Sequence, residues 1–177
     1  MSTQGWTLDA AHSGIHFSVR HMVISKVRGR FSKFEGSFSL DDKDLSQSSV
    51  QVKIDAASID TGIADRDAHL KSADFLDAEK FPTLDFVSKK IEKVSSDEYR
   101  LIGDLTIRGT TKEVPVTVEF GGFGKDPWGN ERAGFTAKAQ VDRREFGLQW
   151  NQVLEAGGVL VGERVDIDIE LEVIRPK

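Results

Sequence analysis

Val27-Arg28-Gly29-Arg30-Phe31-Ser32-Lys33-Phe34-Glu35-Gly36-Ser37-Phe38-Ser39-Leu40 is the stretch on which the fold turns. Its apolar residues sit at odd positions at Val27 and Phe31, then at even positions at Phe34, Phe38 and Leu40. A one-residue change of phase within one long strand is what a β-bulge produces. Read as a single strand, its 14 residues span roughly 46 Å at about 3.3 Å each, far beyond an ordinary strand. Long, bulged, curved strands suit a closed sheet better than a flat one. The expectation is an elongated, all-β antiparallel barrel, with a two-sheet sandwich as the alternative.

The rest of the chain repeats the period of two. Ile15, Phe17 and Val19 alternate with His16, Ser18 and Arg20; Val50, Val52 and Ile54 with Gln51 and Lys53; Leu84 and Phe86 with Asp85. Tyr99, Leu101, Gly103, Leu105 and Ile107 share one parity, and so do Val114, Val116, Val118 and Phe120. Ala133, Phe135, Ala137, Ala139 and Val141 form another face, and Val165 to Val173 alternates with Asp and Glu. Such alternation marks half-buried antiparallel strands.

Turn signals fall between these runs. Ile107-Arg108-Gly109-Thr110-Thr111 reads as a short hairpin, Asp126-Pro127-Trp128-Gly129-Asn130 as a turn, and Gly121, Gly122 and Gly124 as a flexible turn leading to it. Gly157-Gly158 reads as the linker to the last strand. Only residues 63–80 break the pattern, as a short helical insertion. Ser72 is placed to cap a second short helix, and Phe81-Pro82 to stop it. No composition shift divides residues 1–177, which read as one domain.

Composition excludes several function classes. There is no Cys, so thiolate metal sites, disulfides and Cys nucleophiles are absent. With 24 Lys and Arg against 29 Asp and Glu, the net charge of −5 is wrong for a nucleic-acid binder. No apolar run approaches a membrane helix, and the first residues carry no signal-peptide pattern, so the chain reads as cytoplasmic without stable membrane insertion. Phe supplies 11 of the aromatic residues, against three Trp and one Tyr. That set suits a greasy interior.

Polar constellations are sparse. His12 and His16 lie about 13 Å apart on an extended strand, too far to share a zinc ion, and His16 and His21 face opposite sides. Ser13 cannot pair with His12 for nucleophilic chemistry, because adjacent strand residues point apart. No phosphate-binding loop occurs. Lys26, Arg28 and Arg30 form a basic run, with both arginines outward; it reads as a solvated face or as an attractor for an anionic head. Ser13 and His21 end the inward face of Ile15, Phe17 and Val19. His21 is either a hydrogen-bonded core residue or a group that orients a ligand head. The small inward residues Gly103, Ala133, Ala137 and Ala139 leave volume, which either larger neighbours or a ligand fills.

Five ordered blocks resemble the YceI-like family over nearly the whole chain. They are Trp6-Thr7-Leu8-Asp9 with His12-Ser13 through His21 and Val27 to Gly36; Arg66-Asp67 with His69-Leu70, Ser72 and Asp74-Phe75-Leu76, then Phe81-Pro82 to Ser88; Gly103 to Thr111; Arg143 with Glu145-Phe146-Gly147; and Val161-Gly162-Glu163 with Val165. The resemblance implies an extended lipocalin-like barrel with a helical insertion. It also implies a non-enzymatic protein that holds a long isoprenoid, such as a polyprenyl phosphate or an isoprenoid quinone, with no cofactor or metal. Members of that family are often exported.

On this reading Phe17, Val19, Phe31, Phe34, Phe86, Leu105, Phe135 and Phe146 line a tail site. Leu70 and Phe75 plug or gate one end. His21, Asp67, His69 and Arg143 meet the head, unless Asp67 orients His69 and Arg143 pairs with Glu145. Three other readings stand beside it: a stress-linked interaction module with a packed barrel, a carrier of another long amphiphile such as a fatty acid or amide, and an enzyme using His21 or His69 as general base. A homodimer is compatible with the first.

Overall fold

The alternating segments form strands wherever one face can be buried. The computed structural model describes residues 3–151 and 160–175; Gly157-Gly158 lies outside them. The described residues contain eleven strands: β1 (Thr3–Leu8), β2 (Gly14–His21), β3 (Ser25–Phe31), β4 (Phe34–Asp41), β5 (Ser49–Asp55), β6 (Ile59–Asp60), β7 (Thr83–Lys93), β8 (Glu98–Ile107), β9 (Thr110–Lys125), β10 (Glu131–Asp142) and β11 (Val161–Arg175). Among the described residues one α-helix, α1 (Ala64–Lys71), lies between β6 and β7, and short 3-10 turns link other strands.

All strand pairs are antiparallel, and the sheet closes because β11 pairs with β10, β2 and β1. The far end of β11 meets β1 through Val173 and Ile174, while Val161 to Glu170 meet β2. Thus β1 and β2 act as two halves of one stave. β4 pairs with β1 and β5, whereas β3 pairs with β2 and β6. Three kinked staves, β1/β2, β3/β4 and β5/β6, therefore join five single ones in an eight-stave barrel.

This revises the reading of Val27–Leu40. The segment is not one bulged strand: it breaks at Ser32-Lys33, where Ser32 N–H donates to Ser58 O and Asp55 N–H donates to Lys33 O. The break, not a bulge, changes the phase. A bulge does occur in β9: Phe120 faces Phe135 and Gly122 faces Gly134, which leaves Gly121 unpaired. The Gly121–Gly124 run lies inside β9 and is not a turn. Gly122, at φ +114°, takes a conformation side chains resist.

The expected hairpin and the expected turn are both present. Arg108 and Gly109 have φ of 49° and 74°, the signature of a two-residue primed turn. At the other, Asp126 Oδ1 accepts from Trp128 and Asn130 N–H. The helical insertion holds one helix only. Ser72 ends α1, its N–H and Oγ both donating to His69 O, and turns follow to Lys80.

The inward positions pack into two clusters. One contains Trp6, Phe38, Leu40, Ala133 and Val173 and fills one end. The other runs from Ile15 and Phe31 to Phe75, Phe146 and Leu148 at the opposite end. Gly103 shows why a small residue is needed on β8. A Cβ there would strike the Phe86 ring and come within 2.8 Å of Val87 O. We expect Gly103→Ala to destabilise the protein by about 1–3 kcal/mol through overpacking. Phe86→Leu in the same chain should recover part of the loss. Urea unfolding midpoints read both, and an unmoved midpoint for Gly103→Ala would mean the ring swings aside freely.

Candidate functional site

Both clusters contribute to the wall of a cavity of about 300 Å³ inside the barrel. That is roughly twice the size of an engineered apolar cavity that stays dry and takes up benzene. Its wall draws on nearly every stave, because each presents its inward parity. Phe17 and Val19 come from β2, Phe31 from β3, Phe34 from β4, Phe86 from β7, Leu105 from β8 and Phe135 from β10. Phe146 follows β10, and Leu70 and Phe75 come from the insertion. All ten residues expected at a tail site thus lie on this wall.

The small inward residues divide by location. The Phe86 ring fills the space at Gly103, and Ala133 belongs to the Trp6 cluster. Ala137 and Ala139 face the cavity.

The far end is closed by packing and charge. Trp6 and Phe120 lie against Phe123, and Phe120 against Phe135, with ring centroids 4.9–5.9 Å apart. Outside them, Arg132 reaches Asp9 at 2.7 Å, Asp126 at 3.0 Å and Glu172 at 3.3 Å. Asp9, His12 and Glu172 bring ligand atoms close enough for a cation, but the Arg132 guanidinium already sits among these carboxylates. The Arg132 hydrogen bond holds the Asp9 carboxyl below its usual range, and His12 adds to this.

The near end carries the insertion, which brings Leu70, Phe75 and Leu76 to the wall. Its central polar group is Arg143, 5% exposed and on the cavity wall. Arg143 does not pair with Glu145, which is exposed. Nε donates to Gly162 O at 2.8 Å, Nη1 to Leu148 O and Trp150 O at 2.7 and 2.9 Å, and Nη2 to Val161 O at 3.2 Å. Four of its five N–H groups are thereby committed to carbonyls. Burial pushes its pKa down, while Glu163 and Asp142 oppose that, and the guanidinium stays charged.

Phe75 lies beneath it, 5.8 Å from the guanidinium carbon, with its carbonyl held by Arg108 at 3.0 Å. Trp150 and His69 complete the aromatic group, each meeting Phe75 and the other at 4.6–5.5 Å. Trp150 escaped the sequence reading, since residues 148–151 carry no periodic signal.

The other expected head-binding residues are placed elsewhere. Asp67 does not orient His69: its Oδ1 accepts from Thr61 N–H at 2.8 Å and Thr61 Oγ1 at 2.5 Å, clasping α1 to the exit of β6. Asp74 holds His69 instead, at 2.9 Å. His69 and His21 do not line the cavity; His21 ends β2 opposite Val161, at its rim. Ser13 Oγ is used by the Glu172 backbone. Of the polar residues on the wall, His16 and Glu35 are exposed, Ser48 is half-buried and Arg143 is buried.

A family model described as the YceI-like domain matches residues 6–173. A UPF0312 protein of Vibrio cholerae is 39% identical over 163 residues, which is 92% of this chain and 81% of the relative. Among solved structures, BcnA of Burkholderia cenocepacia superposes with a TM-score of 0.82 at 26% identity, covering 93% of this chain and 98% of that one. A polyisoprenoid binding domain from Saccharophagus degradans, implicated in plant cell wall breakdown, superposes with a TM-score of 0.68. At 14% identity over 97% of this chain and 98% of its own, that likeness shows the fold alone.

Two outcomes follow from the ends. Arg143→Met removes the donors of four carbonyls and should destabilise the protein by about 3 kcal/mol or more, seen as an early thermal transition. Arg143→Lys, which has the charge without the fork, should recover only part. At the far end, Arg132→Gln should cost stability at neutral pH. Because the folded Asp9 pKa is depressed, its contribution is present above the unfolded value of about 3.9 and lost as the pH falls through the lower folded value. The gap between wild type and Arg132→Gln in thermal melts should therefore shrink below about pH 4. A gap constant from pH 7 to pH 2.5 would contradict this.

Proposed function

We propose that this chain, which belongs to the YceI-like domain family, takes up a long polyisoprenoid tail in its barrel and serves as a carrier or store for it. The cavity carries this reading. Its wall is almost wholly apolar and is lined by residues from nearly every stave. A branched hydrocarbon needs no hydrogen bonds there, and each CH₂ withdrawn from water contributes about 0.8 kcal/mol. The shared fold with a polyisoprenoid binding domain supports the same reading.

Arg143 is the polar group best placed for the head. Among the described residues its partners are all carbonyls, and one of its N–H groups is left over at the near end. That favours an anionic head, as in a polyprenyl phosphate, over a neutral quinone. Binding without turnover fits the placement of His21 and His69 off the cavity wall.

Native mass spectrometry of freshly purified protein, with lipid extraction, tests the proposal. We expect a polyisoprenoid to co-purify, and a polyprenyl phosphate to outcompete a quinone of equal tail length. Ala139→Trp should fill the bore. Displacing even two CH₂ groups weakens tail binding at least tenfold, while the fold persists. His69→Ala and His21→Ala should leave tail binding intact. Protein recovered empty that also refuses added polyprenols and quinones would end the proposal; a fatty acid or amide in the cavity would redirect it.

A further inference from the structure

We infer that the β2–β3 hairpin docks the barrel on an anionic membrane surface, apolar tip first. The tip residues are Met22, Val23 and Ile24, and they are 46%, 53% and 87% exposed. Three consecutive large apolar side chains in water are not what a hairpin turn requires. Met22 and Val23 also stand at φ of 55° and 67°. Gly or Asn adopts that region easily, whereas a β-branched residue there is an outlier. Local folding therefore accounts for neither the side chains nor their exposure.

Charge identifies the occupant. Residues 10–34 contain no Asp or Glu, yet carry Arg20, Lys26, Arg28, Arg30 and Lys33, within a chain of net charge −5. Arg20 and Lys26 face each other directly behind the tip, with Arg28 next on the same face. All three are exposed, and among the described residues none is in an ion pair, whereas Arg30 meets Asp60 at 3.6 Å. The nearby acids are engaged: Glu163 with Arg144 at 3.2 Å and Asp166 with Arg164 at 3.3 Å. An apolar tip backed by unpaired cations matches a bilayer interface with anionic headgroups.

Position links this face to the cavity. Val19 and Val161 line the cavity, and Val161 pairs with His21, the residue before the tip. Met22 N–H donates to Leu160 O, two residues from Gly162, whose carbonyl holds Arg143. Docking by this hairpin sets the near end, where Arg143 lies, against the bilayer. Surface binding stands without any cargo; its use in loading or delivering a tail rests on the function proposed above.

Flotation with vesicles of phosphatidylcholine containing 30% phosphatidylglycerol, or of phosphatidylcholine alone, tests the docking. We expect binding to the anionic vesicles that falls steeply between 50 and 500 mM salt. Each basic residue reversed in Lys26→Glu/Arg28→Glu should weaken it at least fivefold. Ile24→Asp should weaken it about tenfold or more by removing an inserted side chain. Val23→Gly relieves the turn while deleting an apolar group, so it should keep or raise the melting temperature and still lose binding. Co-purified lipid should be unchanged in all three; its absence from wild type would count against the cargo and not the docking. Wild-type protein that floats with neither vesicle, or equally well after these changes, overturns the inference. So does a dimer that Ile24→Asp dissolves, which would make the tip a contact between copies.

Discussion

One strand with partners along both edges holds this protein together. β11 pairs with β10 from Glu131 to Asp142 on one side, and with β2 and then β1 on the other. A barrel with a solid core can lean on side-chain packing for its closure. This one leaves space on its axis, so its closed ladder must hold the wall. Each hydrogen bond adds only about 0.5–1.5 kcal/mol net, but closure also removes the open edges at which sheets slip or aggregate. The broken stave β1/β2 remains in line because β11 runs unbroken behind it.

The two ends solve the same problem differently. At the far end, rings from Trp6, Phe120 and Phe123 plug the bore, and Arg132 ties three carboxylates outside them. At the near end a guanidinium is fastened, among the described residues, to neutral carbonyls and not to carboxylates. The barrel is therefore polar along its axis. Under the proposed function, hydrocarbon is favoured at one end and negative charge at the other.

The inward faces were legible in the sequence because a period of two leaves no freedom: once one residue faces in, its parity is set. That is why Phe17, Phe86, Leu105 and Phe135 fall where their alternation placed them. The strand break at Ser32-Lys33 was not legible, as neither Gly nor Pro marks it, and the bonds that make it come from residues 55 and 58. The partners of Arg143 were hidden for another reason. They are backbone carbonyls, which every residue has, so no residue type announces them. Asp67 was seen as chemistry but serves Thr61 six residues back, a local bond that motif matching cannot tell from a ligand contact. Ser72 shows the same ambiguity, since a serine caps either end of a helix.

The breaks in the kinked staves lie side by side. Ala10–His12 separates β1 from β2, Ser32-Lys33 separates β3 from β4, and Ala56–Ser58 separates β5 from β6; Ser32 bonds Ser58, and Ala10 and Ser13 line one hollow with Ser32 and Lys33. They form a seam that divides this part of the wall into two stacked collars. A register slip in one collar stops at the seam and leaves the inward parity of the other untouched. Residues can thus be gained or lost in half a stave without turning the rest inside out. Under the proposed function, the bore is a ruler for hydrocarbon whose length can be reset one collar at a time.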